Sequence, residues 1–172
     1  RKHPRPQRRG TQGNQGVSAQ VIIAAIVLSY LLGSIPTGYI LVRLSEHRDI
    51  RNLGSRSIGA TNVLRTKGWK FGLIVVVFDA LKGFLPAFLS LRLTHDPGLA
   101  AVCALAAVLG HCFPFSIGFR GGKGVATAFG AYAGLAPLPF LAALGFFVVL
   151  VALTRYVSLG SLAISVLFPV MI

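Results

Sequence analysis

Acidic residues are nearly missing from this chain. Glu46, Asp49, Asp79 and Asp96 are the only four among 172 positions, against seventeen Lys and Arg. Hydrolysis by a pair of carboxylates, one acid and one base, therefore has no residues to work with. Cysteine is equally scarce. Cys103 and Cys112 stand nine apart in one apolar region, a spacing that fits neither a metal knuckle nor a helical i, i+3 or i+4 pair, so both read as small buried hydrophobes and no metal is expected. Charge of either sign is absent from residues 17–42 and again from residues 124–154. Such gaps exclude an ordinary soluble domain.

What is present is apolar. Hydrophobic residues make up 54% of the chain and the mean hydropathy is +0.73, which points to an all-α integral membrane protein. A net charge of +13 would normally raise nucleic acid as a partner. Here five cations belong to a polar leader, and all the rest but Lys82 occupy short connectors between apolar runs, where the positive-inside bias accounts for them. No nucleic-acid partner is expected; membrane lipid is.

Residues 1–16 have no apolar periodicity and are expected to be a disordered basic leader, non-native or a mis-set start, since the first residue is Arg. Residues 17–172 read as a single membrane domain. As helix, the 26 uncharged residues 17–42 would rise about 39 Å against a hydrocarbon core of about 30 Å, with a kink or break near Pro36. A polar connector over 43–70 carries seven cations and two anions. A second span covers 71–91 and contains Asp79 and Lys82, which at i and i+3 can pair on one face. A third covers 98–117. Residues 124–154 are too long for one helix, and "AGLAPLP" at 133–139 supplies a break. With a further apolar run from Ser158, about six spans result. If the break is a true turn, the connectors at 43–70, 118–123 and 155 share one face of the membrane and collect ten Lys and Arg.

Two connectors have chemistry that lipid does not require. In "DIRNLGSRSIGATNVLR", Ser55, Ser57, Thr61 and Asn62 alternate with Gly54 and Gly59 and the run ends on Arg65. Glycines admit a ligand to the backbone, hydroxyls donate to phosphate oxygens, and an arginine clamps them. In "GFRGGKGVAT", Gly121, Gly122 and Gly124 surround Lys123 just before an apolar helix that contains Thr127, an arrangement suited to an anion. It is not a nucleotide P-loop, because Ile117 occupies the first glycine position and Gly124 the hydroxyl position. His111 precedes this loop as a candidate base, and "TRYVSLGS" with Ser158 adds a third small polar patch. Together they describe a site for a phosphorylated substrate beside lipid.

The motifs "GSIPTGY", "DIRNLGSRSIGATNVLRTKG", "DALKGFLP", "GHCFPFSIGFRGGKGVAT" and "RYVSLGS", in this order, resemble the bacterial membrane acyl-phosphate:glycerol-3-phosphate acyltransferases from about Leu32 onward. The resemblance implies a compact helical bundle of seven spans in the bacterial inner membrane with short cytoplasmic active-site loops. It implies transfer of a fatty acyl group from acyl-phosphate to the 1-hydroxyl of glycerol-3-phosphate, giving lysophosphatidic acid for phospholipid synthesis, with no cofactor. Ser55 and Arg65 match the family's essential serine and arginine. Lys123 with its glycines matches the loop associated with glycerol-phosphate binding, and Ser158 a further active-site hydroxyl. Asn62 and Thr127 fall within the same motifs as candidate substrate contacts. Because acyl-phosphate is already activated, orientation and charge stabilisation suffice, and the proton of the attacking hydroxyl goes to His111 or to a substrate phosphate.

Two departures stand out. Where the family usually reads Gly-Ser-Gly-Asn, this chain has Gly54, Ser55, Arg56 and Ser57, which either distorts the loop or adds to phosphate attraction. The family's last motif, with a His, an Asn and a Glu after a seventh span, has no counterpart before Ile172, so truncation is expected. The H-x-x-x-x-D acyltransferases are excluded, since none of His3, His47, His95 and His111 has an Asp five positions later. A transporter or channel for an anionic metabolite is the alternative, but it would call for internal repeats and a midplane site.

Overall fold

The computed structural model describes residues 17–171, with side chains described through residue 166; the leader at 1–16 lies outside the described residues. Among the described residues eight α-helices follow one another: α1 (Ala19–Gly33), α2 (Thr37–Glu46), α3 (Ala60–Lys67), α4 (Trp69–Thr94), α5 (Pro97–Cys112), α6 (Val125–Leu135), α7 (Pro137–Thr154) and α8 (Val157–Met171). Short 3-10 turns stand at Ile50–Asn52 and Phe115–Ile117. The helical membrane bundle expected from the sequence is what forms. Segments Ala19–Glu46, Trp69–Thr94, Pro97–Ile117 and Pro137–Thr154 are long and apolar enough to cross a bilayer, while Val125–Leu135 and Val157–Val166 are shorter apolar stretches.

The breaks fall where the imino acids demand them. Pro36 lacks an N–H, so α1 closes at Gly33 and α2 restarts at Thr37. Pro137 opens α7 directly after Ala136, dividing the uncharged 124–154 stretch into α6 and α7. Asp96 caps α5, its Oδ1 accepting from the N–H groups of Gly98 (2.8 Å) and Leu99 (3.1 Å). Pro86, by contrast, is accommodated inside α4.

Packing is inside-out relative to a soluble bundle. The buried positions between α4, α5 and α6 are small, with Ala87, Ala104 and Ala131 among them, whereas Leu28, Leu93, Leu138 and Leu153 are 64–79% exposed. Lipid tails are as apolar as leucine, so helices associate by close backbone approach at small residues. At Gly83 and Gly130 a Cβ would overlap the carbonyls of Thr127 and Ala80, which is how α4 and α6 come to lie backbone against backbone. At one end of the bundle a separate cluster of larger side chains, Val42, Ile50, Ile58, Val63 and Val75, pins the 43–70 connector onto α4, and Ile117 packs against it.

Candidate active site

The first connector is shaped by one buried amide. Asn62, 2% exposed at the start of α3, donates through Nδ2 to the carbonyls of Leu53 (3.0 Å) and Ser57 (2.8 Å), and its Oδ1 accepts from the Ser55 N–H (2.9 Å). Its polar atoms are spent inside the loop, so Asn62 acts on Ser55 by fixing its backbone. Gly54 takes φ +53 against the Asn62 side chain, and Ser55 is presented to solvent. Arg65 lies on the exposed side of α3. Ser57 closes a small turn by accepting from the Gly59 N–H (3.2 Å). Arg56 has a left-handed backbone, with φ +60, and its N–H donates to Leu53 O (3.0 Å).

Arg51 joins this connector to the glycine loop. It binds Asp49 through Nε and Nη2 (2.8–3.1 Å), donates through Nη1 to the Ile117 carbonyl (2.9 Å), and lies 5.0 Å from the centre of the Tyr39 ring. Hydrogen bonds from the guanidinium hold the Asp49 carboxyl below the usual carboxylate range, and those to the carboxylate raise Arg51 further above its own. Sequence reasoning missed this link, since nothing local pairs position 51 with 117.

The glycine loop folds back on the end of α5. The N–H groups of Gly121 and Gly122 donate to the carbonyls of Cys112 and His111 (both 3.1 Å), and the Tyr30 hydroxyl holds the Phe113 carbonyl (2.8 Å). Those two amides thus anchor the loop, where the sequence had them in an anion nest. Gly124, at φ +73, turns the chain into α6, whose first-turn N–H groups no intrahelical carbonyl can satisfy. Lys123 is exposed at that point. It rims a cavity of about 110 Å³ whose walls are Val108, Val125, Ala128, Phe129 and Ile164, with Ser161 and Ser165 on the α8 side. Ile164 of α8 packs in one cluster with Ala143 and Phe147 of α7 and Phe129 of α6. Ser158 is exposed on the first turn of α8, whereas Ser161 and Ser165 are the α8 hydroxyls in the cavity wall.

Two predicted residues lie deeper. Thr127 is fully buried, with its carbonyl against Gly83 in the α4–α6 contact. His111 is 3% exposed; a Cβ on Gly122 would strike its imidazole, and its Nδ1 stands 3.7 Å from Asp79 Oδ1. Asp79 is paired at 2.8 Å with Lys82, and Lys82 donates to the Ile35 carbonyl (2.9 Å) at the Pro36 break. The i, i+3 pair read from the sequence exists, and it links the α1–α2 break, α4 and the underside of the glycine loop. Ser55, Lys123 and Ser158 are exposed, while Asn62, His111 and Thr127 are buried. Among the described residues no cluster of three or more potential metal ligands forms.

A family model described as glycerol-3-phosphate acyltransferase matches residues 23–172. The chain is 48% identical over 149 residues to the glycerol-3-phosphate acyltransferase of Syntrophotalea carbinolica, covering 86% of this chain and 76% of the relative. With that of Geobacter sulfurreducens it shares 47% identity, over 89% of this chain and 77% of the relative. Among solved structures it is similar to PlsY (YgiH), an integral membrane glycerol 3-phosphate acyltransferase. In its glycerol 3-phosphate form the TM-score is 0.82 at 38% identity, and in its lysophosphatidic acid form 0.79 at 36%; each comparison covers 86% of this chain and 74% of the other.

Proposed function

Because the chain belongs to the glycerol-3-phosphate acyltransferase family, we propose a mechanism in which two phosphorylated groups meet at the polar end of the bundle and no enzyme-bound acyl intermediate forms. The protein is a multi-pass membrane enzyme that acylates glycerol-3-phosphate for phospholipid synthesis. The donor is acyl-phosphate. Its tail occupies apolar surface and its head comes to the loops, while Lys123, Arg65 and the open N–H groups of α6 neutralise phosphate charge. Ser55, set by Asn62, orients a reacting oxygen, and Ser158 contributes a hydroxyl from α8.

In the reaction the 1-hydroxyl oxygen of glycerol-3-phosphate attacks the acyl carbon, the bond from that carbon to the phosphate oxygen breaks, and lysophosphatidic acid and inorganic phosphate result. The proton leaves with phosphate, whose second pKa near 6 makes it a competent acceptor at neutral pH. His111 is too enclosed to meet the hydroxyl and serves the loop instead. The polar end faces the cytoplasm in the inner membrane of a bacterium, which agrees with ten Lys and Arg gathered in its three connectors. The observation that carries this reading is Lys123, the one cation among the residues that line a mostly apolar cavity with the hydroxyls of Ser161 and Ser165 in its wall.

The test is direct. Liposomes containing the protein, given acyl-phosphate and glycerol-3-phosphate, are expected to yield lysophosphatidic acid and inorganic phosphate in equal amounts. Product from an acyl thioester but none from acyl-phosphate would refute the donor assignment.

A further inference from the structure

A second polar pocket opens on the same end of the bundle and shares no residue with the Lys123 cavity. It encloses about 620 Å³ and is lined by Asp49, Arg51, Asn52, Arg56 and Arg120. No lining residue is apolar. Arg51 is neutralised by Asp49, but Arg56 and Arg120 form no ion pair among the described residues, which leaves two uncompensated guanidinium groups facing one space.

The backbone around this pocket is also unusual. Five residues other than glycine have positive φ among those described: His47, Arg56, His95, Phe119 and Arg155. His47, His95 and Arg155 are left-handed C-caps of α2, α4 and α7, an ordinary way to end a helix. The other two are Arg56, which lines the pocket, and Phe119, which directly precedes Arg120. Each closes a turn, the Arg56 N–H donating to Leu53 O (3.0 Å) and the Phe119 N–H to Pro114 O (2.9 Å), and each left-handed turn delivers an arginine to this pocket at a backbone cost that tends to persist where function over-determines it.

We infer that the Arg56–Arg120 pocket is a second phosphate-binding site, distinct from the one at Lys123. Planar guanidinium forks match tetrahedral phosphate oxygens bidentately, and the Asn52 amide adds a donor of the same reach. A ligand with an acyl tail finds no apolar wall here, so the bound part is a polar phosphate group. It belongs either to a water-soluble phosphate ester or to the headgroup of an anionic lipid at the membrane edge. The inference goes beyond the proposed acyl transfer and does not depend on it.

The full chain in neutral detergent is titrated with inorganic phosphate by calorimetry. Phosphate binding at the Arg56–Arg120 pocket is expected in addition to that at the Lys123 loop. Arg56→Gly and Arg120→Gln should each weaken the former at least tenfold and spare the latter, and Lys123→Ala should do the reverse. Arg56→Gly relieves the φ of +60, so its melting temperature should be unchanged or higher, and its lost binding cannot come from misfolding. In a second arm, nanodiscs of phosphatidylcholine with and without phosphatidylglycerol are analysed for lipid retained by the protein. Phosphatidylglycerol enrichment that a double variant, Arg56→Gly with Arg120→Gln, loses assigns the lipid source, and phosphate binding without enrichment assigns a soluble ester. A double variant that binds phosphate and retains lipid as the original chain does, or an original chain that binds neither, overturns the inference.

Discussion

Replacing Lys82 alone should damage the protein more than replacing Lys82 and Asp79 together. The two side chains are 5% and 2% exposed, and their charges are 2.8 Å apart within a membrane-spanning helix. Lys82→Met leaves a carboxylate buried without its partner, which costs about 3–5 kcal/mol, and Asp79→Leu strands the ammonium at a similar cost. Removing both charges also removes two desolvation penalties. What the double variant still loses is the hydrogen bond from Lys82 to Ile35, worth about 1 kcal/mol. Its stability should thus fall within about 1–2 kcal/mol of the original, far short of the sum of the single changes. Equilibrium unfolding in mixed micelles across the four-member cycle measures this. Singles that cost under about 1 kcal/mol, or a double variant that costs their sum, would show that the pair is not coupled as the geometry requires.

Three further outcomes follow from the site. Gly122→Ala drives a methyl into the His111 ring, so the loop must shift and the KM for glycerol-3-phosphate should rise about tenfold, which kinetics in liposomes will read. Lys123→Ala should raise that KM with kcat little changed, whereas Ser55→Ala should lower kcat by about 100-fold with KM little changed; equal and trivial effects would undo the assigned roles. Asp49 has a folded-state pKa below its unfolded value near 3.9, so its stabilisation is complete above that pH and disappears as pH falls through the lower, folded value. The melting-temperature gap between the original chain and Asp49→Asn should therefore close only in strong acid.

Much of this arrangement is legible in the chain because membranes make few demands and make them strictly. Pro36 and Pro137 cannot donate backbone hydrogen bonds, so helix ends beside them can be read directly. The pairing of Asp79 with Lys82 follows from helical spacing. Contacts across long stretches of sequence cannot be read this way. Arg51 reaches the carbonyl of Ile117 and His111 approaches Asp79, and no periodicity links either pair. The roles of Asn62, Gly121 and Gly122 were obscured for another reason. Amides and glycines suit a ligand or their own loop equally well, and only the positions of Leu53, Ser57, Cys112 and His111 show that the loop claims them.

The central claim is that the loops carrying Arg56, Arg120 and Tyr156 gather at one face of the membrane. In a chain carrying Cys103→Ala and Cys112→Ala, the single changes Arg56→Cys, Arg120→Cys and Tyr156→Cys place a thiol in each of these exposed segments. A membrane-impermeant maleimide applied to sealed, uniformly oriented vesicles should label all three from the same side. Labelling of any one of them from the opposite side would contradict the account.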